Sequence, residues 1–122
     1  MSLVMKKYRY NHKDYLVYER NLLAREFDAN EWQTICNNDL GVGVDFIIEI
    51  INTQIFAYDM YGQKIDLNQD LQFVIDYHEG ILKDNNILAQ FTRDIEVRFT
   101  NYYINKLANL VTKKAYSAWK NR

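Results

Sequence analysis

Apolar positions along the chain change period several times, and each change marks an element. Tyr15–Glu19 (YLVYE) reads as the first strand. Asp28 then precedes a helical pattern in which Trp32, Ile35 and Cys36 share one side. Glu31 stands three residues after Asp28, the arrangement of a reciprocal capping box. The polar cluster Asn37–Asp39 and the glycines Gly41 and Gly43 lead into Phe46–Ile51 (FIIEII) and Gln54–Met60 (QIFAYDM), two adjacent strands joined at Asn52–Thr53. Gly62 marks a turn, and Gln63–Leu67 reads as a third short strand. Beyond Asn68, a favourable N-cap, Leu71, Val74, Ile75, His78 and Leu82 recur at helical spacing. Asp70 lies in that first turn, where a negative side chain meets the positive helix end. Asp94–Phe99 reads as a last strand, and Tyr103, Leu107, Leu110, Val111, Ala118 and Trp119 as an amphipathic C-terminal helix.

A chain of 122 residues suits one core, so residues 1–122 are expected to form a single α+β domain with a twisted mixed or antiparallel sheet. The net charge of −1 gives no general attraction to nucleic acid or acidic membrane. One cysteine, Cys36, excludes an internal disulfide and a multi-cysteine zinc site, and its helical position suits a buried, inert thiol. Neither His12 nor His78 has a partner at a metal-ligand spacing, so no metal is expected. No apolar run reaches the ~18 residues of a membrane span, and the cytoplasm is the expected location. Ten tyrosines and six phenylalanines favour an aromatic contact surface.

Phosphate-loop, zinc-protease and CxxC patterns are absent. The two glycines precede a strand, whereas a dinucleotide fingerprint opens a helix. Glu49, Asp59, Asp66 and Asp70 carry carboxylates, but the sequence does not pair any two of them across a cleft.

Four segments in order carry a resemblance: Lys7–Val17 (KYRYNHKDYLV), Gly41–Asp45 (GVGVD), Tyr58–Gly62 (YDMYG) and Asn68–Leu71 (NQDL). Together they resemble a diverged N-terminal domain of the diaminopimelate epimerase family, cofactor-independent racemases of amino acids. That family has a lysine-led run ending Gly-Asn-Asp-Phe, then Gly-Ile/Val-Gly-Ala/Phe-Asp, then Phe-Asn-Ala-Asp-Gly, then Cys-Gly-Asn-Gly opening a helix. The match spans about residues 6–82 and is closest over Gly41–Asp45. It implies a sheet wrapping a helix, an amino-acid ligand and no cofactor.

The resemblance also implies lost chemistry. The family's N-terminal-domain cysteine, one of two that exchange the α-proton, falls at Asn68, and an amide has no proton-abstracting state near neutral pH. Two substrate-binding asparagines fall at Lys13 and Asp59, and the small residues beside the cysteine become Gln69 and Leu71. The second homologous domain that carries the other cysteine does not fit in 122 residues.

The expected protein is therefore a catalytically inactive, homodimeric interaction or small-ligand-binding domain. Its candidate ligand residues are Lys13, Asp59, Asn68, Gly41 and Gly43. The resemblance implies that Asn68 caps a helix beside Asp59 and Lys13, with Gly41–Asp45 as a nearby turn. One alternative is an amino-acid isomerase of altered chemistry acting through Lys13 and Asp59. Another is a nucleic-acid module, because residues 97–122 hold six basic and no acidic side chains. Its contacts would be Lys106, Lys113, Lys114 and Lys120, with Tyr102, Tyr103, Tyr116 and Trp119 as stacking groups.

Overall fold

Which strands touch is decided by two kinds of connection, tight turns and helical excursions. A computed structural model of the chain describes residues 3–19, 27–100, 103–104 and 106. In order it contains β1 (Leu3–Tyr10), β2 (Lys13–Glu19), α1 (Ala29–Cys36), β3 (Phe46–Ile51), β4 (Gln54–Asp59), β5 (Lys64–Ile65), α2 (Gln69–Glu79), α3 (Asn85–Leu88) and β6 (Phe91–Phe99). The strands form one six-stranded sheet in the order β5-β4-β3-β2-β1-β6. Two-residue turns make β1–β2 and β3–β4 antiparallel neighbours. The α1 excursion returns the chain in the same direction, so β2 and β3 pair in parallel, and the sheet is mixed.

Side-chain alternation sends residues to two faces, and each face has its own helix. On one face Met5, Leu16, Tyr18 and Ile47 pack with Trp32 and Ile35 of α1. On the other, Tyr8, Tyr15, Val17 and Ile48 pack with Leu71, Val74 and Ile75 of α2. The consecutive residues Ile47 and Ile48 are both fully buried, one in each layer, which explains why β3 carries apolar residues at adjacent positions. Truncating either to alanine should cost about 2–5 kcal/mol.

The α1 capping box forms as the sequence predicts: Asp28 Oδ1 accepts from Glu31 N at 2.8 Å, and Asp28 N donates to Glu31 Oε1 at 3.3 Å. Elsewhere the boundaries move. β1 precedes the strand expected to be first, and β2 begins at Lys13. β4 stops at Asp59, β5 keeps only two residues, and β6 starts at Phe91. α2 ends at Glu79 because Gly80 adopts φ 76° and Ile81 N bonds back to Asp76 O at 3.0 Å, which leaves Leu82 beyond the helix.

Tyr103, Ile104 and Lys106 are helical, and the Tyr103 hydroxyl donates to Leu40 O at 3.1 Å. The rest of the expected C-terminal helix, including Lys113, Lys114, Lys120 and Trp119, lies outside the described residues. Among the described residues no helix is long and apolar enough to cross a membrane.

Candidate functional site

The segment around the paired glycines is shaped by the end of α1. A helix leaves its last carbonyls without internal partners, and the chain after Cys36 folds back to supply them. Val42 N bonds Ile35 O at 2.7 Å and Val44 N bonds Cys36 O at 3.2 Å. Such close approach requires Gly41, since a Cβ there would stand 2.3 Å from Ile35 O. Gly43 adopts φ 75°, the left-handed region that favours glycine. Both candidate glycines thus have a local structural duty as the cap of α1.

Asp45, the last residue of the motif, ties the starts of the two parallel strands. Asp45 N donates to Asp14 O, and Asp14 N donates to Asp45 Oδ2, each at 2.9 Å. The Asp14 carboxylate pairs with Arg9 at 2.8 Å through Oδ2. Its buried Oδ1 has no hydrogen bond and faces Arg93 at 3.7 Å.

Lys13 and Asp59 both adjoin Phe46, the first residue of β3. The Lys13 ammonium stands 5.4 Å over the Phe46 ring, and Asp59 is the partner of Phe46 across the β3–β4 ladder. One Asp59 oxygen is already committed. Oδ1 accepts from Tyr61 N at 2.9 Å and from Gln63 N at 3.0 Å, which builds the turn into β5.

Asn68 occupies the N-cap of α2 in extended backbone (φ −112°, ψ −178°), and its Oδ1 accepts from Leu71 N at 2.9 Å. Phe46 stacks on Tyr15 with ring centroids 5.4 Å apart. The Tyr15 hydroxyl is pushed up to about 12, first by burial and then by the charges of Asp70, Tyr10 and Asp45. Tyr10 is also raised, by burial and then by Asp70. The Asp70 carboxylate at the start of α2 is therefore felt by the tyrosines beneath it. Lys13 and Asp59 thus flank Phe46, while Asp70 and Asp45 act on the Tyr15 ring stacked against it.

Two constellations stand apart from these residues. Glu49, buried at 4% exposure, accepts from the Tyr18 hydroxyl and, at 3.3 Å, from the Tyr58 hydroxyl on the α1 face. The charge inside FIIEII is the signal that marks it in the sequence. An open cleft of about 320 Å³ is lined by Gln33, Cys36, Asn37, Asn38, Met60 and Tyr61. It contains none of Lys13, Asp59 and Asn68. Among the described residues no group of three His, Cys, Asp or Glu side chains is placed to hold a metal ion. Lys106 is exposed on the helical segment after β6, and the other three lysines of the basic segment lie outside the described residues.

Comparison of the chain with protein-family models and with curated proteins gives no match.

Proposed function

We propose that this domain derives from one lobe of a diaminopimelate-epimerase-like racemase and works without catalysis, as a self-associating domain that accepts a small amine-bearing ligand. The observation that carries this reading is Asn68. It keeps the helix-capping bond at the place where the resembling family puts its reactive thiol, yet it offers no group able to remove an α-proton. Lys13 and Asp59, which replace the family's substrate-holding amides, both border Phe46 near the start of β3. Asp70 already meets the positive end of α2, which lowers the value of that end for a ligand carboxylate.

The test is α-proton exchange in deuterated water with diaminopimelate and a panel of free amino acids. No exchange is expected. Exchange that disappears in Asn68→Ala, with the fold retained, would overturn the non-catalytic reading. Ligand binding is followed separately by calorimetry, comparing wild type with Asp59→Asn. That variant keeps an oxygen for the Tyr61 and Gln63 amides while removing the charge, so amine binding should weaken about tenfold or more.

A second reading, an isomerase of altered chemistry, is favoured by the shared position of Lys13 and Asp59 beside Phe46. It requires exchange that survives Asn68→Ala and fails in Lys13→Met or Asp59→Asn.

A further inference from the structure

Among the described residues the two edges of the sheet are unequal. β5 offers two residues, whereas β6 runs for nine with β1 as its sheet neighbour. A long edge presents a row of backbone donors and acceptors that can template another strand unless proline, a bulge or an inward-pointing charge prevents it. β6 contains no proline. Its irregular pairing is confined to the start, where Tyr10 faces Phe91 and Arg9 faces Arg93, which makes Thr92 the extra residue. Arg93–Phe99 remains in regular register. Ile95 is exposed at 46% on this strand.

Asp94, Glu96 and Arg98 alternate with Ile95, Val97 and Phe99, so the charges share the α2 face and the apolar residues share the α1 face. A second copy joining this edge by a two-fold axis must run antiparallel, with residues of the same face opposite one another. Only registers centred on a residue satisfy that condition. Centring on Asp94 or Glu96 sets a carboxylate against its own copy. Centring on Ile95 sets Asp94 against Glu96 twice. Centring on Val97 sets Glu96 against Arg98 twice and Ile95 against Phe99, pairing opposite charges and apolar groups together.

We infer that β6 is the interface for a second copy of this chain, joined antiparallel about Val97 so that the six-stranded sheet continues across the dimer. Asp94 is engaged by Lys6 at 2.5 Å and by the Tyr77 hydroxyl at 3.3 Å, whereas Glu96 has no ion pair among the described residues and is exposed. Arg98 is exposed and already engaged within its own chain. Its guanidinium carries five donors and can hold that contact while adding the carboxylate of a second copy. This inference names the surface for the self-association proposed above and depends on that part of the reading alone.

Sedimentation of the full chain across micromolar concentrations tests it through charge reversal. Wild type should dimerise. Glu96→Arg faces Arg98 of its copy with like charge, Arg98→Glu faces Glu96 in the same way, and each should weaken dimerisation about tenfold or more. Mixing the two variants should restore a heterodimer, as should the double variant Glu96→Arg/Arg98→Glu alone. A wild type that stays monomeric overturns self-association and this interface together. An Arg98→Glu variant that remains dimeric overturns the β6 interface and leaves self-association standing. Neither result bears on α-proton exchange, which tests the non-catalytic reading separately. Circular dichroism checks that the variants are folded. If a single variant is not, hydrogen exchange of wild type decides: those amides of Arg93–Phe99 that face away from β1 must gain protection as concentration rises, and unchanged protection sinks the proposal.

Discussion

The Tyr8 hydroxyl lies 2.6 Å from Nδ1 of His78, joining the middle of β1 to the last turn of α2 across 70 residues of sequence. When the imidazole is neutral with its proton on Nε2, the hydroxyl donates to Nδ1. Protonation turns both ring nitrogens into donors, and the hydroxyl oxygen then accepts from Nδ1. Burial holds the His78 pKa below its ordinary value. Glu19, Glu79 and Asp94 oppose that shift, and Lys6 reinforces it.

A depressed histidine pKa means that the unfolded chain binds the proton more readily. This contribution to stability is complete above the unfolded value of about 6.5 and is lost as pH falls through the folded value. Wild type should show a falling Tm between pH 7 and pH 5, and His78→Phe should lose the part of that slope that His78 supplies. An unchanged slope in the variant would remove His78 as its source. Tyr8→Phe deletes the partner of Nδ1 in either protonation state and should cost about 1 kcal/mol of stability, read by urea titration.

Gly41 and Gly80 separate two reasons for glycine. A Cβ at Gly41 would collide with Ile35 O, whereas one at Gly80 meets nothing within 4 Å and suffers only from φ 76°. Gly80→Ala should cost about 1 kcal/mol. Gly41→Ala should cost about 2–3 kcal/mol and disturb the end of α1. Equal denaturation midpoints for the two variants would contradict the close-approach argument.

Asn68→Ala should destabilise by about 1 kcal/mol through loss of the Leu71 N bond, while Asn68→Asp and Asn68→Ser should stay near wild type. Urea titrations of the three variants measure the difference. A loss shared equally by all three would mean that the capping bond is not what the amide supplies.

Glu49→Ala removes the acceptor of both the Tyr18 and Tyr58 hydroxyls from a buried position and should cost about 3 kcal/mol. Glu49→Gln keeps an oxygen there and should cost less. Thermal unfolding of the pair tests whether the charge or the acceptor matters.

The α1 capping box, β3 and the Asn68 cap were legible because each rests on a short local signal. β1 was not. Its sequence, LVMKKYRY, sits between two strands with both faces occupied, so Tyr8 and Tyr10 enter one core while Met5 enters the other and Lys7 turns inward to bond Val42 O at 3.1 Å. Buried lysine and tyrosine erase the alternation that would announce a strand. The following turn is equally quiet, since Asn11 and His12 take φ 49° and 67° without glycine. At the candidate site, the resemblance singled out Lys13, Asp59 and Asn68 as candidates. It did not show that Asp59 is bound into its own turn or that Asp70 acts on the buried tyrosines, because both facts depend on contacts between separate elements.

The pairing of Leu3 with Phe99 has a consequence for how the chain is made. β1 lies between β2 and β6, so among the described strands the earliest in sequence cannot complete its ladder until the latest is available. Until then its outer edge stands open beside the β2 hairpin. Closing so long a loop is a slow, high-contact-order step. A chain in which β6 has not yet paired leaves the outer edge of β1 open, and an unpaired strand edge is a template for aggregation.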